Sequence, residues 1–217
     1  MTSRPPPADD PGPRLIARIL HDIAGPISGL TTAVDLLSDE TQSALRPEAI
    51  TLARDSLARL AEKIAFFRAV FAESTNPTGD TFGELASALF AGSRIELNAT
   101  PLPPDAPAEM ARVLLILLQI LGEALPSGGG IAFTADVTTQ SCIGALVGSG
   151  PRLRLREESR LGLAAAPAPA TLTARWAPAA LARLLADRAK AQLIVEENQE
   201  SLGFRLVWPH ASAEITV

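Results

Sequence analysis

Along the first third of the chain, apolar residues recur at alternating steps of four and three. They fall at Ile16, Leu20, Ile23, Ile27, Leu30, Val34 and Leu37, and again, after Arg46-Pro47, at Ile50, Ala53, Leu57, Leu60, Ile64, Phe67 and Phe71. A period near 3.5 is the stripe of an α-helix, so the spacing predicts two helices of roughly 25 residues, each about 37 Å long at 1.5 Å per residue. The segment between them is short and polar, and proline at position 47 suits a first helical turn. The two helices therefore form an antiparallel hairpin. A hairpin cannot cover two such seams by itself. The economical completion is a second copy, giving a four-helix bundle across a homodimer axis.

After Asn76-Pro77-Thr78-Gly79 the periodicity changes, which marks a domain boundary. Beyond it the pattern predicts helices over 82–90, 108–125 and 179–190. Strands are predicted over 94–97, 131–137, 143–147, 152–156, 192–196 and 203–208. Gly128-Gly129-Gly130 reads as a helix stop rather than a phosphate cradle, because no lysine or threonine follows at the required spacing. The order is α+β: a helical hairpin followed by an α/β sandwich with helices on one face of a sheet. The chain divides into a disordered proline-rich tail at 1–13, the hairpin at 14–76 and the sandwich at 77–217.

Composition narrows the function. With 217 residues, 47% hydrophobic and 20% charged, the chain can bury real cores. A net charge of -5 argues against nucleic acid, whose readers carry a basic excess. One cysteine, Cys142, permits no intrachain disulfide, and two histidines exclude a site built mainly of imidazoles. The N-terminus has prolines and acids where a secretory signal has a basic and then an apolar run. The most apolar stretch, 110–125, is interrupted by Arg112, Gln119 and Glu123, and is too short to span about 30 Å of hydrocarbon. A cytoplasmic protein with no membrane partner is the expectation.

Candidate chemistry lies on the first helix. At 100° per residue, His21 points roughly 160° from the apolar seam, into solvent. It shares its face with Arg14, Arg18, Gly25, Ser28 and Thr32, so on its C-terminal side the imidazole stands over a surface stripped of bulk. Gly25-Pro26 inside a helix costs roughly 1 and 3 kcal/mol relative to alanine, a cost that suggests function beside an exposed histidine. Asp22 follows at once, and a carboxylate near an imidazole either accepts its proton or favours one tautomer, freeing the other nitrogen as nucleophile. Pairing the two helices antiparallel brings Phe66 level with His21, as an apolar part of a docking surface.

The stretch Leu20-His21-Asp22-Ile23-Ala24-Gly25-Pro26-Ile27-Ser28-Gly29 resembles the phosphoacceptor box of sensor-kinase dimerisation and phosphotransfer domains. Its His-Asp-x-x-Gly-Pro form is most similar to the ChpT family of alphaproteobacterial histidine phosphotransferases. The later element order, down to Leu206-Val207-Trp208-Pro209, resembles a kinase catalytic domain. The features such a domain needs for ATP are missing. Alignment puts Ile120 where a magnesium-holding asparagine belongs, and an isoleucine offers no oxygen to a hard cation. The turn Val147-Gly148-Ser149-Gly150-Pro151 lacks the adenine-reading aspartate, and no phosphate loop follows.

The resemblance thus implies a degenerate histidine-kinase ATPase-like sandwich and a phosphorelay histidine phosphotransferase. In that reading His21 carries a phosphoryl group between the aspartates of response-regulator receiver domains, including that of a hybrid kinase. Asp22 would be the second catalytic residue, with Arg14, Arg18, Gly25, Ser28, Thr32 and Phe66 meeting the partner. No cofactor is expected on this chain, and magnesium belongs to the receiver. An ATP-dependent protein histidine kinase and a non-catalytic receiver-binding scaffold are the alternatives.

Overall fold

The computed structural model describes residues 11–71, 77, 79–164 and 173–209. Helix α1 spans Gly12–Ser38 and α2 spans Arg46–Phe71, packed against each other as a hairpin. A 3-10 turn at Glu40–Leu45 joins them. Asp39 opens that turn: its carboxylate accepts from the backbone and hydroxyl of Thr41, at 2.9 and 2.6 Å, and from Gln42 at 2.8 Å. Those donors hold the Asp39 carboxyl below its ordinary pKa. Helix α1 starts two residues before the end of the expected tail, with Pro13 in its first turn, and it continues through Pro26.

The two helices meet on small residues. Ala33, Ala49 and Ser56 are buried between them, and a Cβ at Gly29 would lie 2.4 Å from Oγ of Ser56. Close approach on this narrow face turns one row of the apolar seam away from the hairpin interior. Ile16, Leu20, Ile27 and Val34 remain 48–63% exposed, and Ile50, Leu57 and Ile64 43–59%.

The rest of the chain is a mixed sheet covered on one face. Helix α3 is Asp80–Ala88, β1 Ile95–Ala99, α4 Ala108–Glu123, β2 Gly129–Val137, β3 Ser141–Ser149, α5 Glu157–Leu163, α6 Ala177–Arg188, β4 Gln192–Glu197 and β5 Ser201–Pro209. The order is β1-β2-β3-β5-β4, with β1 parallel to β2 and every other pair antiparallel. Helix α4 is apolar nearly all round, as a helix enclosed on every side must be. It contacts α2, α3 and α6 as well as β3 and β5, and Leu114, Leu115, Leu117 and Leu118 are fully buried. Glycine at 148 lets β3 approach it, since a Cβ there would sit 2.7 Å from Leu121 Cδ1.

Sequence expectations give way at 152–156 and at Gly128-Gly129-Gly130, and one helix was not foreseen. The stretch 152–156 is not a strand: β3 ends at Ser149, Gly150-Pro151 begin a turn, and Arg152 takes a left-handed φ of 58°. Leu155 is buried and Leu153 half-buried, but they reach the core from a loop whose Arg154 N–H donates to the Ala124 carbonyl at 3.0 Å. The alternation at these positions thus records burial without a sheet partner. Helix α5, which the reading of the sequence lacked, follows directly, with Glu157 and Glu158 in its first turn, where the helix dipole favours acids. Helix α4 itself ends at Glu123, capped by Ala124, so the glycines do not stop it: Gly128, at φ 86°, closes the turn into β2, its N–H donating to the Leu125 carbonyl at 3.0 Å.

Candidate functional site

Helix α1 presents His21 on its outer face, and the side chain is 84% exposed. A Cβ at Gly25 would meet nothing within 4 Å, Ser28 and Thr32 are both exposed, and the Thr32 hydroxyl turns back onto the Ser28 carbonyl at 3.0 Å. The surface one to three turns beyond the imidazole is therefore low and open.

Asp22 differs sharply from its neighbour, being only 11% exposed. Its Oδ1 lies 3.2 Å from Nδ1 of His21, and its Oδ2 accepts from Nε of Arg18 at 3.0 Å. A neutral imidazole satisfies the first contact by donating from Nδ1, which leaves the lone pair on Nε2. Arg18 is 17% exposed and donates again, from Nη2 to Oε1 of Glu123 on α4 at 2.5 Å. Burial by itself would lower the Arg18 pKa, but Glu123 and Asp22 outweigh it and hold the guanidinium above its usual value.

The partner-facing residues expected from sequence are divided by these contacts. Arg14 lies over the Trp176 ring, with its guanidinium carbon 5.7 Å from the ring centroid, so it is partly occupied within the chain. Arg18 is committed to two carboxylates. Phe66 is level with the site but only 6% exposed, its ring set edge-on to Phe67 at 6.0 Å. It lines a half-open pocket of about 210 Å³ that also touches Asp22, Phe67, Lys63 and Gln119 and opens past the exposed Arg59 and Glu62. Its ring forms a wall of that pocket and is not itself an exposed apolar face.

Reading the sequence did not place any residue of the sandwich beside His21. An open cleft beside His21 is lined by Arg156, Thr173 and Arg175 together with Arg18, Asp22 and Glu123. Arg156 precedes α5, and Arg175 lies in the 3-10 turn Ala174–Trp176; both are exposed. Glu123 did leave a signal, as a lone acid near the end of an apolar helix. Arg175 left none, because its proximity to His21 exists only once the sandwich packs on α1. Among the described residues no group of three or more His, Cys, Asp or Glu could hold a metal ion, and no helix is long and apolar enough to cross a membrane. His210 lies outside the described residues.

No curated protein sequence matches the chain. Among solved structures, a bacterial phosphotransferase superposes with a TM-score of 0.78 at 21% identity, covering 91% of this chain and 95% of that one. The histidine kinase AdeS of Acinetobacter baumannii gives 0.46 at 12% identity, covering 87% and 97%. The blue-light activated histidine kinase EL346 of Erythrobacter litoralis gives 0.43 at 17%, covering 96% and 62%. Residues 79–201 match the family described as the histidine phosphotransferase C-terminal domain, a span that includes Glu123, Arg156 and Arg175 but not the hairpin. More than half of the chain lies within that match, and the chain belongs to the histidine phosphotransferase family.

Proposed function

We propose that this chain is a phosphorelay carrier that moves a phosphoryl group between the aspartates of response-regulator receiver domains through His21. The observation that carries the reading is the pairing of an 84% exposed imidazole with a carboxylate held on its Nδ1. In the forward step the Nε2 lone pair forms a bond to phosphorus as the donor's aspartyl O–P bond breaks, its electrons staying on the donor carboxylate. In the second step an acceptor carboxylate attacks phosphorus and the N–P electrons return to Nε2. Magnesium and most of the charge neutralisation are assigned to the receiver, so this chain's task is to position an uncrowded nucleophile in line with phosphorus.

Gly25, Ser28 and Thr32 leave room for the receiver on the hairpin. With Arg18 held within the chain, attraction of the receiver's acidic pocket passes to Arg156 and Arg175, the exposed cations of the cleft beside His21. The exposed seam rows on α1 and α2 are assigned to a second copy, completing a four-helix bundle. The test of the reading is incubation with phosphorylated receivers. Label should pass to the wild type and be absent from His21→Ala, whereas labelling of His21→Ala at the wild-type level overturns it. Incubation with ATP alone should leave the protein unlabelled; autophosphorylation on His21 would make it a kinase instead.

A further inference from the structure

Adjacent residues on a helix point about 100° apart, so α1 alone does not aim the Asp22 carboxylate at the His21 ring. A carboxylate on two rotatable bonds would visit the imidazole as one of several rotamers. Here its choice is restricted from behind. Oδ2 of Asp22 is taken by Nε of Arg18, and Nη2 of the same guanidinium is taken by Glu123. A guanidinium is planar, so engaging Nε with one carboxylate and Nη2 with another fixes its plane and the Asp22 head group with it. Oδ1 is left facing Nδ1 of His21. Glu123 is the last residue of α4, where the helix dipole disfavours an acid. Its contact with Arg18, 105 positions away in sequence, offsets that penalty and ties α4 to the helix that carries the imidazole.

We propose that Arg18 and Glu123 are positioning residues: they hold Asp22 so that the proton of His21 stays on Nδ1 and Nε2 is the atom that takes and releases phosphorus. The inference rests on the phosphotransfer reading above and replaces docking as the role of Arg18. When Nε2 bonds to phosphorus, positive charge builds on the ring, and the Nδ1 proton remains shared with the fixed Oδ1, offsetting that charge. When the acceptor carboxylate takes the phosphoryl group, the N–P electrons return to Nε2 and the ring is restored. A ring protonated on Nε2 has no in-plane lone pair there and cannot begin the step.

The experiment reads the tautomer directly, with or without a receiver. The chain has two histidines, so His210→Gln leaves one ring to observe by two-bond 15N–1H correlation, at a pH where that ring is neutral. The Nδ1–H form should dominate in the otherwise wild-type protein. In Arg18→Met the ratio of Nδ1–H to Nε2–H should fall at least about threefold, and kcat for transfer should drop about tenfold with KM for the receiver unchanged. Arg18→Lys keeps the charge but cannot span both carboxylates, and should show the same loss. Glu123→Gln should shift the tautomer in the wild-type background and add little to Arg18→Met, because it acts through the arginine.

Circular dichroism of each variant checks the fold, and Arg18→Lys serves if Arg18→Met does not fold. An unchanged tautomer ratio in a folded Arg18 variant overturns the proposal, as does a rise in KM at constant kcat, which would return Arg18 to docking. A tautomer shift in a protein that accepts phosphate from no receiver would support the positioning and overturn the phosphotransfer reading, so the two fail separately.

Discussion

Two neighbouring residues on one helix live in different environments: the His21 side chain is 84% exposed and that of Asp22 11%. That contrast suits a group that must meet a partner beside a group that must hold still. Gly25 extends the same logic. It costs a helix interior about 1 kcal/mol relative to alanine, and a Cβ there would meet no side chain or other part of the fold beyond its own chain neighbours. Pro26 follows, and its ring crowds the Cβ of a helical residue placed before it, so the usual gain is offset and Gly25→Ala should change stability by less than about 0.5 kcal/mol in urea unfolding. Gly25→Leu should fold as well yet raise KM for the receiver about tenfold, because its bulk intrudes only on the visitor. A Gly25→Leu protein with normal KM would remove this surface from docking. Reversing charge at Arg156 and Arg175 together should raise KM by about tenfold or more and weaken its dependence on salt, measured as transfer rate against receiver concentration at two ionic strengths. An unchanged KM would leave the cleft without a role in recruitment.

At the scale of elements, the heptad spacing announced both helices, and the structure gives them 27 and 26 residues against the roughly 25 expected. What spacing could not show is which row faces which neighbour. The hairpin closes on Gly29, Ala33, Ala49 and Ser56, small residues that a search for large apolar side chains passes over. Leu57, 59% exposed on α2, is therefore free for a second copy. Leu57→Glu should leave the helical content intact and halve the mass measured by light scattering; a wild-type protein that is already monomeric at micromolar concentration would contradict the bundle. The loop at 152–156 teaches the converse. Alternating Leu153 and Leu155 satisfied the period of a strand, but the segment pairs with no strand of the sheet, and the leucines reach the core from a loop.

At the scale of the whole molecule, α4 joins the two parts, packing against α2 while its other sides meet α6 and the sheet. Leu117, fully buried on it, has no route to solvent, and Leu117→Ala should cost about 2–5 kcal/mol in urea unfolding with an unchanged slope. A loss below about 1 kcal/mol would mean that the core collapses around the gap. The fold class and the exposure of His21 were legible because they depend on short-range period within the chain. The contacts that complete the site were not, since Arg18 with Glu123 and Arg14 with Trp176 are set by how the sandwich seats on α1. For the same reason the sequence could not show that Arg14 and Arg18 have partners within the chain, or that Arg156 and Arg175 stand exposed beside His21.

The central claim is that one exposed imidazole carries phosphorus between carboxylates without a nucleotide. A phosphotransfer assay tests it most directly: radiolabelled receiver as donor, this chain, and a second receiver as acceptor, with ATP removed. The account predicts acid-labile label on the wild type, its passage to the acceptor, and loss of both with His21→Ala. Transfer that survives in His21→Ala, or label that enters the wild type only when ATP is supplied, would contradict it.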